Sequence, residues 1–290
     1  MPGREAAADV SAFAPARGPD AGADLGLLTM AARAAGAVAL RYWKGDYAIR
    51  DKGLGEGPVT EADLAVDRCL SDILRAARPD YGWLSEESAE HDARGATWRI
   101  FVVDPIDGTR AFIAGEESFA ISLAVVEDGR VVTGVVYLPA RDRLYAAVAG
   151  GIATRDGQPV LASAQAGVPG ARILTSRANL RPEEWPGGVP DLRTGFRPSL
   201  AYRLCLVAEG RYDGMLMLRP TWDWDIAAGA LIAERAGAVV TDGAGQGLVF
   251  NGSDPRNAGV IAAAPGLHAD LMRHRLGPSA SGETRKDGAG

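Results

Sequence analysis

Cysteine and histidine are scarce in this 290-residue chain: it has only Cys69 and Cys205 of the first, and His91, His268 and His274 of the second. Two thiols in apolar helical contexts make neither a disulfide framework nor a cysteine-rich zinc site, and no two histidines are spaced for zinc. Thiols of this kind suit a reducing compartment, so a cytoplasmic location is expected. Positive charge is short as well. With 31 Lys and Arg against 37 Asp and Glu the formal net charge is −6, which argues against nucleic acid or an anionic membrane surface as a partner. No run of roughly 18 apolar residues occurs, so no membrane span is expected. Arg4 and Arg17 invite comparison with a targeting peptide, but Asp9, Pro15, Pro19 and Asp20 interrupt any apolar core there.

What is abundant is apolar side chain, 47% of the residues, ample for one large or two modest packed units. Residues 1–23 and 277–290 are polar or rich in small residues, and their composition predicts loose tails. Between them the periodicity changes twice. Leu27, Leu28, Ala31, Ala35, Val38 and Ala39 recur at helical spacing over 24–43, and Thr60 with Asp63 predicts the capped start of a second helix that Pro79 closes. Strands are then expected at 82–85, 98–103, 119–126, 131–138 and 144–148, with a hairpin turn at 127–130. This α+β half covers 24–155. From Arg172 strands and helices alternate, an α/β half assigned to 156–276, with the boundary between Ala153 and Val168.

The segment Phe101-Val102-Val103-Asp104-Pro105-Ile106-Asp107-Gly108-Thr109-Arg110 carries the most chemistry. An apolar strand delivers Asp104 at its end, Pro105 is expected to stop the ladder, and Gly108 permits a tight turn beside Asp107. Two carboxylates held that close repel, so either one is protonated or a divalent ion lies between them. From this spacing alone, a turn in which both merely cap backbone N–H groups fits equally well. Leu84-Ser85-Glu86-Glu87-Ser88 also places acids after an apolar strand. Trp222-Asp223-Trp224-Asp225 puts one at the start of a helix expected near Ile226, where an ordinary N-cap is the plain alternative. Jointly these acids form a hard oxygen set of the kind Mg²⁺ prefers.

LSEES, DPIDGT and WDWDIAAGA, in this order, resemble the lithium-sensitive inositol monophosphatase superfamily, over about Asp24 to Leu276. The resemblance implies a layered α/β/α/β/α sandwich, of the inositol monophosphatase/fructose-1,6-bisphosphatase type, with the site between the two halves. It implies a Mg²⁺-dependent phosphatase with two to three ions per site, acting on a small-molecule phosphate ester, and it is compatible with a homodimer. By resemblance Glu86, Asp104 and the Ile106 carbonyl would hold one ion, Asp104, Asp107 and Asp225 a second, and a third, weaker one would sit near Glu86. Asp63 and Thr109 would activate water. Gly108 and Thr109 would offer backbone N–H groups to the phosphate, and Lys52 would lie near the metals.

Within the superfamily the chain looks closer to the 3'(2'),5'-bisphosphate nucleotidases, through Leu84-Ser85-Glu86-Glu87 and Cys205-Leu206-Val207-Ala208-Glu209-Gly210. Leu218 stands where inositol enzymes place a glutamate for ring hydroxyls. Arg110 and Arg203 would suit a second phosphate, although each reads equally well as a surface or helix-face arginine. Adenosine 3',5'-bisphosphate is the expected substrate. Inositol monophosphate and histidinol phosphate are the alternatives within the enzyme class, and a non-catalytic metal- or phosphate-binding module is a more distant one.

Overall fold

The computed structural model describes residues 21–51, 53, 58–88 and 97–277. Lys52 and His91, and most of the two expected tails, lie outside them. Helix α1 (Ala21–Tyr42) begins earlier than the expected Asp24. Its Leu28, Ala31, Ala32, Ala35, Gly36 and Ala39 are buried against α2 and the first sheet. By length and mean hydropathy, 1.4, α1 would suffice to cross a membrane, which the residue run alone did not reveal; here its apolar stripe is spent on the core. After it, β1 (Ile49–Asp51) and β2 (Pro58–Thr60) pair antiparallel and lead into α2 (Glu61–Ala77). The Thr60 hydroxyl accepts from the N–H groups of Ala62 and Asp63 while the Asp63 carboxylate accepts from Thr60 N, the reciprocal cap that T-x-x-D predicts.

The first sheet has seven strands in the order β3 (Gly82–Ser85), β4 (Arg99–Asp107), β5 (Ala120–Glu127), β6 (Arg130–Leu138), β7 (Arg143–Val148), β8 (Thr154–Arg155) and β9 (Gln158–Pro159). β3 runs parallel to β4 and the remaining pairs are antiparallel. The expected hairpin turn is present: Glu127 pairs with Arg130, and the left-handed φ values of Asp128 (47°) and Gly129 (77°) match a two-residue loop of that hand. β4 is buried along its whole length because both faces are covered. Phe101 and Val103 face the cluster formed with α1 and α2, whereas Ile100 and Val102 face the opposite cluster, the period-two alternation of a strand. Pro105 does not end this strand. The ladder to β5 slips between Asp104 and Asp107, a bulge that lets the chain pass a residue with no N–H to donate and carry on to Asp107.

The second sheet contains β10 (Arg172–Leu174), β11 (Arg193–Gly195), β12 (Gly214–Met217), β14 (Val239–Thr241) and β16 (Val260–Ala263), in the order β11-β10-β12-β16-β14. β10 is parallel to β11 and β12, whereas β16 is antiparallel to both its neighbours. Two further strands, β13 (Thr221–Trp222) and β15 (Arg256–Asn257), form a separate pair. Short α3 (Thr109–Ile113) follows β4, and α4 (Leu200–Ala208) and α5 (Asp223–Arg235) lie side by side between the sheets. One cluster joins Leu204, Val207, Ile226 and Ala230 of these helices to Val102 and Val136 of the first sheet and to Met215 and Val260 of the second. The helix comes so near the first sheet that a Cβ on Gly134 would meet the Ala228 carbonyl oxygen at 2.9 Å, a place for glycine. α6 (Pro265–Leu276) covers the outer face of the second sheet through Leu267 and Leu271. The architecture is therefore the expected α/β/α/β/α stack.

Candidate active site

β4 and its bulge deliver Asp104 and Asp107 to one end of the first sheet, both buried. Asp104 Oδ1 accepts from the Ile106 N–H at 3.0 Å. Asp107 reaches further: its carboxylate accepts from Ser199 Oγ at 2.6 Å, Ala201 N at 2.7 Å and Leu200 N at 3.2 Å, at the first turn of α4. The reading of these aspartates as caps of backbone N–H groups thus holds for both, and it does not compete with their convergence. Gly108 adopts φ 93° so that the chain can turn directly into α3.

Asp225 arrives from α5. The helix begins at Asp223 rather than near Ile226, so Asp225 lies inside the first turn and is no N-cap. Asp223 instead accepts from Asn251 N and Asn257 Nδ2 at 2.7 and 3.0 Å. Ligand oxygens of Asp104, Asp107 and Asp225 lie within 4.8 Å of one another, and Glu86, on the turn after β3, lines the same cleft as Asp107 and Asp225. The turn carrying Glu86 is held by an acid that the motifs did not single out. Asp67 of α2 accepts from Ser85 Oγ at 2.5 Å and Ser88 Oγ at 3.1 Å, and Trp83 Nε1 donates to Ser88 Oγ at 3.1 Å. Asp67→Ala is expected to lower stability by about 1–3 kcal/mol, because it strands these hydroxyl donors; thermal denaturation beside the parent protein measures it.

Burial pushes the Asp104 carboxyl well above its ordinary range, and the charges of Glu86, Asp107 and Asp225 push the same way. Asp225 is raised well above the ordinary value by burial and then by Asp107 and Glu86. Burial also raises Asp107, to about 6, against the lowering effect of its bonds from Ser199, Ala201 and Leu200. Asp104 Oδ2 is buried without a hydrogen-bond partner. Mutually repelling hard oxygens, one of them orphaned, can hold a divalent cation, which would relieve both the repulsion and the missing partner. The donor set therefore fits a magnesium-type ion.

Beside the acids, Thr109 Oγ lies 3.3 Å from Asp63 Oδ1 and 3.2 Å from the Ile106 carbonyl oxygen. Asp63 is at once a capping-box acid and a partner of Thr109. The cleft, about 800 Å³, extends from this cluster along α4 and the loops at the end of the second sheet. Arg110, Arg203 and Leu218 all line it. Arg203 is buried, its Nε donating to the Arg197 carbonyl and its Nη1 having no partner. Burial lowers it to about 10. Arg181, Phe196 and Arg219 line the cleft too and were not anticipated. They belong to irregular stretches around β11 and β12, where no periodicity or motif marks them.

A buried acid cluster at the seam of two sheets defines a class, and the chain belongs to it: residues 25–277 match the inositol monophosphatase family. Among the relatives, the inositol-1-monophosphatase of Rhizobium meliloti is 36% identical over 223 residues, 74% of this chain and 81% of that protein. The 3'(2'),5'-bisphosphate nucleotidase CysQ of Escherichia coli is 33% identical over 205 residues, 67% and 79% of the two chains. The crystal structure of extragenic suppressor protein suhB from Bartonella henselae superposes with a TM-score of 0.75 at 28% identity, covering 87% of this chain and 98% of that one. These identities are too alike to single out a substrate.

Proposed function

We propose that the protein is a Mg²⁺-dependent phosphomonoesterase that converts adenosine 3',5'-bisphosphate to AMP and phosphate. The observation that carries the hydrolase part is the convergence of Asp104, Asp107 and Asp225 within 4.8 Å, with Asp107 and Asp225 lining the cleft. In this reading Glu86, Asp104, the Ile106 carbonyl, Asp107 and Asp225 hold the ions. When bound, the ions supply charge neutralisation and a water of lowered pKa. Thr109 Oγ, donating to Asp63, presents its lone pair to the attacking water, so that the Asp63 carboxylate at 3.3 Å is the proton sink behind it. The N–H groups of Gly108 and Thr109, at the turn into α3, bind the phosphate oxygens. The two free thiols favour the cytoplasm.

Two features support a second phosphate over a polyol. The half-buried Leu218 offers the cleft no hydrogen-bonding side chain. Arg110, Arg181, Arg203 and Arg219 line it without a salt bridge to any carboxylate of the described residues. Cations in the cleft that make no direct ion pair leave hydrogen-bond donors for a substrate that brings its own negative charge. Steady-state kinetics with Mg²⁺ on adenosine 3',5'-bisphosphate, inositol 1-phosphate and histidinol phosphate test this. The highest kcat/KM is expected for the bisphosphate, and a preference for inositol 1-phosphate would overturn the substrate assignment. Leu218→Glu is expected to reduce kcat/KM for the bisphosphate about ten-fold or more, since a carboxylate would face the substrate's anion; the same assay reads it.

A further inference from the structure

We propose that Phe196 is the platform on which the planar base of the substrate stacks, with the Arg203 guanidinium behind it. Single exposed hydrophobic side chains are ordinary on protein surfaces, but this one has a particular place. Among the exposed large hydrophobics of the described residues, Phe196 is the one that lines the cleft. The residue is 53% exposed. The Arg203 guanidinium carbon sits 4.5 Å from the ring centroid, and Arg203 itself is fixed by burial and by its bond to the Arg197 carbonyl. One face of the ring is therefore backed by a fixed cation, and the residue, otherwise exposed, lines the cavity.

That arrangement suits a flat heteroaromatic ring. A cation beneath a phenyl ring holds it in place by its attraction for the ring's negative face. Stacking on the other side uses only a π-face, which a nucleobase has and a sugar alcohol or an aliphatic phosphate lacks. A cavity of about 800 Å³ holds a nucleotide comfortably. Pro198, two residues further along the chain, lines the same cleft and adds a second rigid apolar surface to it. The proposal rests on the nucleotide reading of the cleft and adds to it the group that recognises the base.

The test compares two ligands that differ only in the base. Dissociation constants of AMP and of ribose 5-phosphate are measured by titration calorimetry with Mg²⁺ present, for the parent protein, Phe196→Ala and Phe196→Trp. The parent is expected to bind AMP about ten-fold more tightly than ribose 5-phosphate, the lower range of base stacking on an aromatic side chain. Phe196→Ala should bring that ratio near one, and Phe196→Trp should preserve it. Because the ratio is taken within each protein, a general loss of folding or of phosphate affinity cancels. A parent ratio of one, or a ratio untouched by Phe196→Ala, overturns the platform. Failure of the bisphosphatase reading shows elsewhere, in the parent's own choice among phosphate esters.

Discussion

Asp104→Asn is expected to abolish phosphatase turnover while leaving the metal-free protein as stable as its parent, or more so. Asparagine keeps the oxygen that accepts from Ile106 N at 3.0 Å. It replaces the orphaned Oδ2 with an amide, which has charged acceptors on Asp107 and Asp225 close by. The substitution also removes a carboxyl whose own ionisation is disfavoured by burial and by the charges of Glu86, Asp107 and Asp225. What it removes is the carboxylate charge that would serve both proposed ions. Outer-shell partners of a metal already cost about 10–100-fold when lost, so a loss beyond about 100-fold in kcat/KM is expected for a residue in direct contact. Activity assays, paired with thermal melts in a chelator, separate the two effects. A variant that remains active would refute the bridging role of Asp104.

The second large effect links pH, magnesium and stability. The Asp107 carboxyl is raised from 3.8 to about 6 in the folded chain, with burial as the largest cause. A carboxyl raised on folding binds more protons in the native state than in the unfolded one. Its unfavourable ionisation is fully felt above about pH 6 and fades as pH falls toward 3.8. Asp104 and Asp225, raised well above their ordinary value, act in the same direction. From this cluster alone, the metal-free protein should therefore lose stability as pH rises from about 4 through neutrality.

Magnesium should reverse that loss where the carboxyls are ionised and do little where protons hold the oxygens. At pH 8, with Mg²⁺ at about 100 times its dissociation constant, linkage supplies roughly 2.7 kcal/mol. For a chain of this size that raises Tm by roughly 5 °C or more. The gain should shrink below about pH 6 and vanish near pH 4. Differential scanning calorimetry over that range, with and without Mg²⁺, measures the whole surface. A magnesium-induced shift independent of pH would exclude this cluster as the binding site.

The sequence disclosed the site where burial constrains it most. Val102 and Val103 are packed on opposite faces of β4, so the strand reads as an unbroken apolar run, and acids directly after such a run stand out. The Thr60 and Asp63 cap was legible for a similar reason, since its spacing is fixed by one helical turn. Pro105 misled because local propensity ends a strand there, whereas renewed pairing with β5 at Asp107 carries β4 past it through a bulge. Asp225 was placed too near the helix start because Trp222, which makes no side-chain cap, supplies the extended residue before α5. Asp67, Arg181, Phe196 and Arg219 could not be picked out. Their roles arise from partners far along the chain, Asp67 with Ser85 and Ser88 and the others across a shared cavity, and nothing in their immediate neighbours encodes that.

The helices between the sheets have a bearing on how the chain acquires its shape. Every strand of the first sheet has been specified by Pro159, yet the apolar side chains on its inner surface, Val102 and Val136 among them, are covered by helices at 200–208 and 223–235. During synthesis this surface stays bare until the second of those helices has emerged. Both halves draw on the same interior, so they should gain and lose structure together as one cooperative unit.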